Sequence, residues 1–322
     1  MKLRRILLTG GTGFVGKWLS PTIAKRCAAQ ELYQLRRSDD KIDFPGWTPI
    51  IGDLEDSASI NKAIAEVKPD LVIHLGAQSS VGSALNSAPE TWEINLNGSI
   101  RLASACAIHC PATNFLLVSS SEVYGTSFQD GQATEETPPR PINAYARSKL
   151  AAEMALFDIL PATARLIVAR PFNHTGPGQD QRFALPTFAA QIAAIEAGRQ
   201  PPILKVGNIN VVRDFLDVRD VVSAYIAIIN HLDSFDHRNV VNIASGQAWS
   251  IATLVDKFRS RARCDFEIKV DEDRLRPSDV PRVEGASGRL QHLTGWTARI
   301  PIEETMDSLL DYWRDQVSAK SG

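Results

Sequence analysis

The chain has 322 residues, 44% of them hydrophobic and 22% charged, and a formal net charge of −2. This is the composition of a globular protein with room for one large core and a smaller one, and with no basic field to attract nucleic acid. No stretch approaches 18 uninterrupted apolar residues, which argues against a membrane-spanning helix. The opening residues lack a leader pattern, so the cytoplasm is the expected compartment.

In chain order, short apolar runs alternate with longer amphipathic ones. Arg5–Thr9 reads as a strand, Phe14–Cys27 as a helix, and Leu32–Leu35 as a strand. A helix over Asp56–Val67 leads to a strand at Asp70–Leu75, and a long helix over Pro89–His109 leads to a strand at Asn114–Ser119. Tyr145–Leu160 is a helix and Ala164–Ala169 a strand. Continuous apolar strands between helices predict a parallel sheet buried on both faces. Right-handed crossovers make it doubly wound, the Rossmann arrangement of an α/β protein. Beyond residue 172 the rhythm breaks into loops rich in Gly, Pro and Asn. Val218–His231 still reads as a helix and Asn239–Ala244 as a strand of the first kind. A dinucleotide-binding domain over 1–172 plus 218–246 is therefore expected, with a smaller, discontinuous α+β substrate lobe over 173–217 plus 247–322.

Gly10-Gly11-Thr12-Gly13-Phe14-Val15-Gly16 follows the first strand and opens the first helix. Glycines at this spacing allow a tight turn and close approach of the backbone to a pyrophosphate, while the helix N-terminus offers unpaired N–H groups and its positive dipole end. An Asp or Glu closing the second strand would hold a ribose 2′-hydroxyl. Here Arg36 and Arg37 stand instead, and two guanidinium forks suit a 2′-phosphate. NADP(H) is thus the expected cofactor, with NAD(H) second. Asp53 and Leu54 are placed to meet the adenine, and Leu75 and Ala77 to line the adenosine side.

Tyr145 and Lys149, four apart on a helix, share a face. A lysine ammonium beside a phenol lowers its pKa and can hold the nicotinamide ribose, so that the phenol exchanges a proton as hydride moves. Ser120, at the end of the Asn114–Ser119 strand, would bond the same substrate oxygen. Cys106, His109 and Cys110 lie within one helical turn but lack a fourth ligand and a CxxC pair, so they are expected to be ordinary side chains and no metal is expected.

The glycine motif, Ser119-Ser120-Ser121-Glu122-Val123-Tyr124-Gly125 and Tyr145-x-x-x-Lys149 together resemble the extended short-chain dehydrogenases/reductases that act on nucleotide sugars, over nearly the whole chain. Within them, Ala169–Gln179, Lys205–Asn208, Val212–Asp217, Leu275–Ser278 and Thr294–Trp296 are similar to the branch that reduces GDP-linked 4-keto-6-deoxy sugars. The resemblance implies NADPH-dependent reduction of GDP-4-keto-6-deoxy-D-mannose to GDP-D-rhamnose. GDP-mannose 4,6-dehydration is the alternative, because Glu122 stands where dehydratases keep an acid/base carboxylate. Against it, Ser120 replaces their Thr, and Ser121 occupies the second acid's place in the related dTDP-glucose enzymes. A 4-epimerase and a non-catalytic binding protein are weaker readings; the latter would be expected to lack Tyr145, Lys149 or Ser120. The resemblance places Asn173 on the pyrophosphate and Pro171 and Phe172 beside the nicotinamide. Arg213 and Arg276 are the expected diphosphate cations, with Lys205 over the base or ribose and Gln78 and Ser79 on sugar hydroxyls. His174 is expected to be satisfied by backbone rather than to act as an acid or base. It also implies a homodimer through a four-helix interface built from Pro89–His109 and Tyr145–Leu160, where Ala144, Ala146, Ala151, Ala152 and Ala155 would allow close approach or else face a core.

Overall fold

In the computed structural model the described residues are 3–319 apart from 28, 38–42, 80 and 276–279; of Val81, Ser83 and Leu85 only the backbone is described. The first part runs β1 (Arg5–Thr9), α1 (Phe14–Arg26), β2 (Glu31–Arg36), β3 (Thr48–Ile51), α2 (Ser57–Val67), β4 (Leu71–His74), α3 (Val81–Asn86) and α4 (Ala88–Trp92). A π-helical turn (Glu93–Asn97) follows, then α5 (Gly98–His109), β5 (Asn114–Val118), α6 (Ala144–Ile159) and β6 (Arg165–Pro171). The second part runs β7 (Asn173–Thr175), α7 (Ala184–Glu196), β8 (Ile203–Val206), β9 (Val212–Asp217), α8 (Val218–Asn230), β10 (Arg238–Ile243), β11 (Ala248–Ser250), α9 (Ile251–Arg259), β12 (Glu267–Val270), β13 (Arg282–Val283), α10 (Gly288–Thr294) and α11 (Ile302–Ala319).

Seven strands form one parallel sheet in the order β10-β6-β5-β4-β1-β2-β3. Strands such as β4 are buried at every position, which is why they read as unbroken apolar runs. One face packs against α1 and α8, sharing Leu19, Ile23, Val221 and Tyr225 with Ile6 and Leu8. The other packs against α2, α5 and α6 through Ile60, Leu102, Leu156 and Leu7. Helix starts are set by short polar caps: Asp56 accepts from Ala58 N at 3.0 Å, Asn143 from Ala146 N at 2.8 Å, and Asp217 from Arg219 N at 2.7 Å, each satisfying an otherwise orphaned donor.

The rest is built on a four-stranded sheet (β11-β9-β13, with β7 on β9) and a two-stranded one (β12-β8). A separate core of Phe188, Ile192, Leu254, Phe258, Met306 and Leu309 joins α7, α9 and α11. Buried Asp214 gathers this region: its carboxylate accepts from Ser245 N (3.0 Å), Gly246 N (3.0 Å) and Gly285 N (3.4 Å).

Two features depart from the sequence reading. The helix expected over Pro89–His109 is helical throughout but contains a π-helical turn, in which Gly98 N bonds Glu93 O, and α3 precedes it. Strand β3 was not expected; its TPII sequence is short and all four of its residues are half-buried or exposed at the sheet edge, so its apolar signal is weak.

Candidate active site

The strand order turns between β1 and β4, and a crevice opens there at the carboxyl ends of the strands. It continues into a cleft of about 1140 Å³ between the sheet and the second part of the chain. At its floor, Gly10 has φ +70, and a Cβ there would stand 2.7 Å from Gly76 N. A Cβ on Gly16 would come within 2.4 Å of the carbonyl oxygens of both Gly10 and Gly11. Only glycine permits this turn. Gly13 begins α1 with no side-chain cap and no acidic residue in the first turn, so the amides at that helix end face the cleft with the positive dipole behind them.

Thr12, Gly13, Phe14, Val15, Arg36, Arg37, Asp53, Leu54, Leu75 and Ala77 all line this half of the cleft. Arg36 is buried; its Nε donates to Gln34 Oε1 (3.1 Å), its Nη1 pairs with Asp43 (2.9 Å), and its Nη2 has no partner among the described residues. Ser38, the last member of the Arg36-Arg37-Ser38 turn, lies outside the described residues. Asp53 Oδ1 accepts from Glu55 N at 3.0 Å.

Beneath the floor a buried chain of hydrogen bonds fixes one histidine tautomer. Ser99 Oγ donates to Asn95 O (2.6 Å) and therefore accepts from His74 Nε2–H (3.0 Å). His74 Nδ1 then accepts from Thr9 Oγ1 (2.6 Å), which in turn accepts from Gly76 N (3.0 Å). Burial, aided by the Lys149 charge, pushes His74 down to about 3, so it stays neutral and holds the loop after β4 to β1.

At the mouth of the sheet, α6 brings Tyr145 and Lys149 to the end of β5, where the Ser120 hydroxyl lies close enough to the Tyr145 phenol to act on its pKa. Lys149 Nζ donates to Val118 O at 2.8 Å. Burial pushes Tyr145 up to about 12, the Ser120 hydroxyl acting against it. Burial pushes Lys149 down to about 8, opposed by Glu153. The phenol is thus held as a proton donor at neutral pH. The lowering by lysine that the sequence suggests does not act on the phenol here: Lys149 is bonded to a backbone carbonyl instead, and burial sets the direction of the shift. Glu122 lines the cleft beside these groups, and Asn143 Nδ2, on the cap of α6, reaches its Oε2 at 3.4 Å.

Gln78, Ser79, Phe172, Asn173 and Arg213 also line the cleft. Arg213 Nη1 donates to Val212 O and Val280 O, both at 2.8 Å. His174 meets its expectation: its Nδ1 bonds Phe172 O at 2.9 Å, burial lowers its pKa, and its ring stacks on Phe14 with centroids 6.3 Å apart. Of the other expected residues, Arg276 lies outside the described residues, and Lys205 is not brought in. Lys205 is exposed on β8, where alternation sends Leu204 and Val206 inward and Lys205 outward, and it is absent from the cleft lining.

Several cleft and support residues were missed by the sequence reading. Arg182 and Arg274 line the cleft, each beside an acidic partner, Asp180 at 2.9 Å and Asp271 at 3.2 Å. Asn95, in the π-helical turn, takes both backbone groups of Gln78 (2.8 and 3.2 Å) and donates to Ser148 Oγ (3.0 Å), which donates to Tyr145 O (2.8 Å). One side chain so ties the cleft loop to the helix that carries Tyr145, a placement typical of π-helical insertions. Glu153, one turn beyond Lys149, is buried against Arg170 (2.6 and 3.1 Å) and Ser119. A Tyr, Lys and Glu at successive steps of four is the signal that would have pointed to it.

This is the build of an extended short-chain dehydrogenase/reductase. The chain belongs to the GDP-mannose 4,6 dehydratase family, whose model matches residues 7–309, among the nucleotide-sugar oxidoreductases. It is 37% identical over 316 residues to GDP-6-deoxy-D-mannose reductase of Pseudomonas aeruginosa, covering 98% of each chain. It is 26% identical over 293 residues to GDP-6-deoxy-D-talose 4-dehydrogenase of Aggregatibacter actinomycetemcomitans, covering 90% of this chain and 91% of that one. Among solved structures, RMD from Pseudomonas aeruginosa complexed with NADPH has a TM-score of 0.80 at 35% identity, over 97% of this chain and 99% of that one. Among the described residues no helix is long and apolar enough to cross a membrane, and no cluster of His, Cys, Asp and Glu is arranged to hold a metal.

Proposed function

We propose that this chain reduces the 4-keto group of GDP-4-keto-6-deoxy-D-mannose with NADPH to give GDP-D-rhamnose. The observation that carries the reading is the cluster of a protonated Tyr145, the Ser120 hydroxyl beside it and the buried Lys149, all lining the glycine-bounded crevice. The relative at 37% identity, named as a reductase of such a sugar, supports the choice of substrate. The residues present fit the cofactor. The crevice floor has no room for a Cβ at Gly10 or Gly16, the start of α1 offers uncapped amides, and Arg36 Nη2 is a buried cationic donor without a partner among the described residues. Arg36 and Arg37 would hold the 2′-phosphate, Asp53 and Leu54 the adenine, and Lys149 the nicotinamide ribose.

When bound, NADPH supplies the hydride that reaches carbon 4. Tyr145 gives its phenolic proton to the carbon 4 oxygen and regains one from solvent. Ser120 donates a hydrogen bond to that oxygen, so negative charge developing there meets two donors in a water-poor site. Lys149, charged below about pH 8, stabilises the phenolate left behind. Glu122 and Gln78 hold sugar hydroxyls, and Arg213, with Arg276 and Asn173, holds the diphosphate.

Two further readings go with this proposal. Residues 1–172 with 218–246 form the cofactor lobe and 173–217 with 247–322 the sugar lobe, supported by β10 closing the seven-stranded sheet. The protein is a cytoplasmic homodimer. Ala146 and Ala152 are in the core, but Ala144, Ala151 and Ala155 are half-buried, and Met154 and Ile108 are exposed on α6 and α5, as helices awaiting a second copy would be.

Incubation with GDP-4-keto-6-deoxymannose and NADPH should consume NADPH and yield a GDP-6-deoxyhexose. Conversion of GDP-mannose with no net change in cofactor would instead make Glu122 a dehydratase acid/base and sink the reductase reading.

A further inference from the structure

Among the described residues, six buried side-chain polar atoms have no hydrogen-bond partner: Arg36 Nη2, Asn173 Oδ1, Thr175 Oγ1, Gln179 Oε1, Tyr225 OH and Trp313 Nε1. All but Trp313 belong to residues that line the cleft. Buried polar groups are rarely left unmade, since each costs about 1–3 kcal/mol; a concentration of them along one cleft marks where a ligand's polar atoms are received. Arg36 faces the phosphate end. Asn173 and Thr175 lie on β7 and Gln179 on the loop that follows it. Tyr225 has no role in the reaction described above.

Tyr225 sits on α8, in the packed face that includes Val218, Val221, Val222, Ile226 and Ile229. Nothing in that packing requires a hydroxyl, and phenylalanine would fill the same volume. Tyr124 offers the contrast. It too is fully buried, but its hydroxyl donates to Asn242 Oδ1 at 2.7 Å. The Tyr225 phenol lies close enough to Tyr145 to feel its charge, and burial together with that neighbour raises its pKa far above the ordinary phenol range. It is therefore a permanent neutral O–H, suited to donate to an acceptor and unsuited to act as a base.

We propose that the Tyr225 hydroxyl donates to the carboxamide oxygen of the nicotinamide ring, making it a positioning residue that fixes the rotation of that ring next to Tyr145. The inference rests on the NADPH reading above. The nicotinamide end is chosen over the rest of the dinucleotide because Tyr225 packs in the same buried cluster as Phe172 and lies within reach of the Tyr145 phenol, and both of those residues line the cleft with it.

The test compares wild type with Tyr225→Phe by calorimetric titration with NADPH and with 2′-phospho-ADP-ribose, which has no nicotinamide. Loss of one neutral hydrogen bond should weaken NADPH about three- to tenfold and leave the truncated ligand unchanged. The ligand-free variant should also unfold at a higher temperature than wild type, because an unpaired buried hydroxyl has been removed. Equal weakening of both ligands, no weakening of NADPH, or a lower unfolding temperature overturns the proposal. A measurement on wild type stands apart from the variant's folding: the thionicotinamide analogue, whose sulfur is a poor acceptor, should bind more weakly than NADPH by a similar factor, and equal binding overturns the proposal. If wild type binds neither NADPH nor 2′-phospho-ADP-ribose, the cofactor reading itself has failed, a result distinct from all of these.

Discussion

The two walls of the cleft are made differently. The floor is a run of consecutive residues, Gly10–Gly16, bent between a strand buried from Ile6 to Thr9 and a helix that follows at once. The opposite wall is assembled from β7, β9, the start of α7 and residues 207–208 and 273–275, with sheet partners far apart in sequence such as Val212 and Arg282. The floor is determined locally and tolerates almost no change of side chain. The far wall depends on long-range ties such as Asp214 to residues 245, 246 and 285, and its individual contacts are replaceable. Chemistry is expected to concentrate where the floor meets α6, and substrate choice on the far wall. Substitutions can break this division or sharpen it.

The largest effect is expected at the junction. Tyr145→Phe removes the proton donor from a helix position whose backbone is held by Ser148 and the Asn143 cap. Turnover should fall by about 10³ while NADPH affinity stays within a few-fold, as befits a general acid; steady-state kinetics beside a fluorescence titration reads both, and normal turnover would remove Tyr145 from the chemistry. Next comes the floor itself. Gly10→Ala places a methyl 2.7 Å from Gly76 N at a φ of +70, so the turn must open. NADPH affinity should drop by roughly 100-fold and stability by about 1–3 kcal/mol. Binding as tight as wild type's would show that the floor is more pliant than the far wall and invert the comparison.

The same contrast governs what could be read from the sequence. Strands β1, β5 and β6 and helices α2, α6 and α8 were legible within a residue or two because burial on both faces writes continuous apolar runs and short polar caps mark the helix starts. The glycine floor and the Tyr145–Lys149 pair were legible because their function is a spacing. Asn95 was not, since a π-helical turn inserts a residue without altering the helical composition around it, and its partners, Gln78 and Ser148, are 17 and 53 residues away. Glu153 and Arg170 each look like ordinary charges until the fold buries them together. On the far wall, Arg213 and Asp214 are adjacent in sequence, yet one faces the cleft and the other is a buried tie; a motif match does not separate these roles.

Lys205 and Arg274 supply the smallest and most discriminating test, because sequence reasoning placed the lysine in the cleft and overlooked the arginine. Alternation along β8 turns Lys205 outward, away from Leu204 and Val206, whereas the Arg274 side chain lines the cleft with Asp271 beside it. Arg274 is partly exposed, so solvent screens its charge and its contact with a diphosphate is worth less than a buried one. Arg274→Ala should raise KM for the nucleotide sugar about threefold with kcat unchanged, the signature of lost uniform binding. Lys205→Ala should alter neither constant by as much as about twofold, as for a solvated surface position. Salt should narrow the first difference and leave the second where it is. A KM effect at Lys205 equal to that at Arg274 would mean that β8 turns its outer face toward the substrate when the second part of the chain closes, and that the far wall is defined by motion rather than by the strand alternation described above.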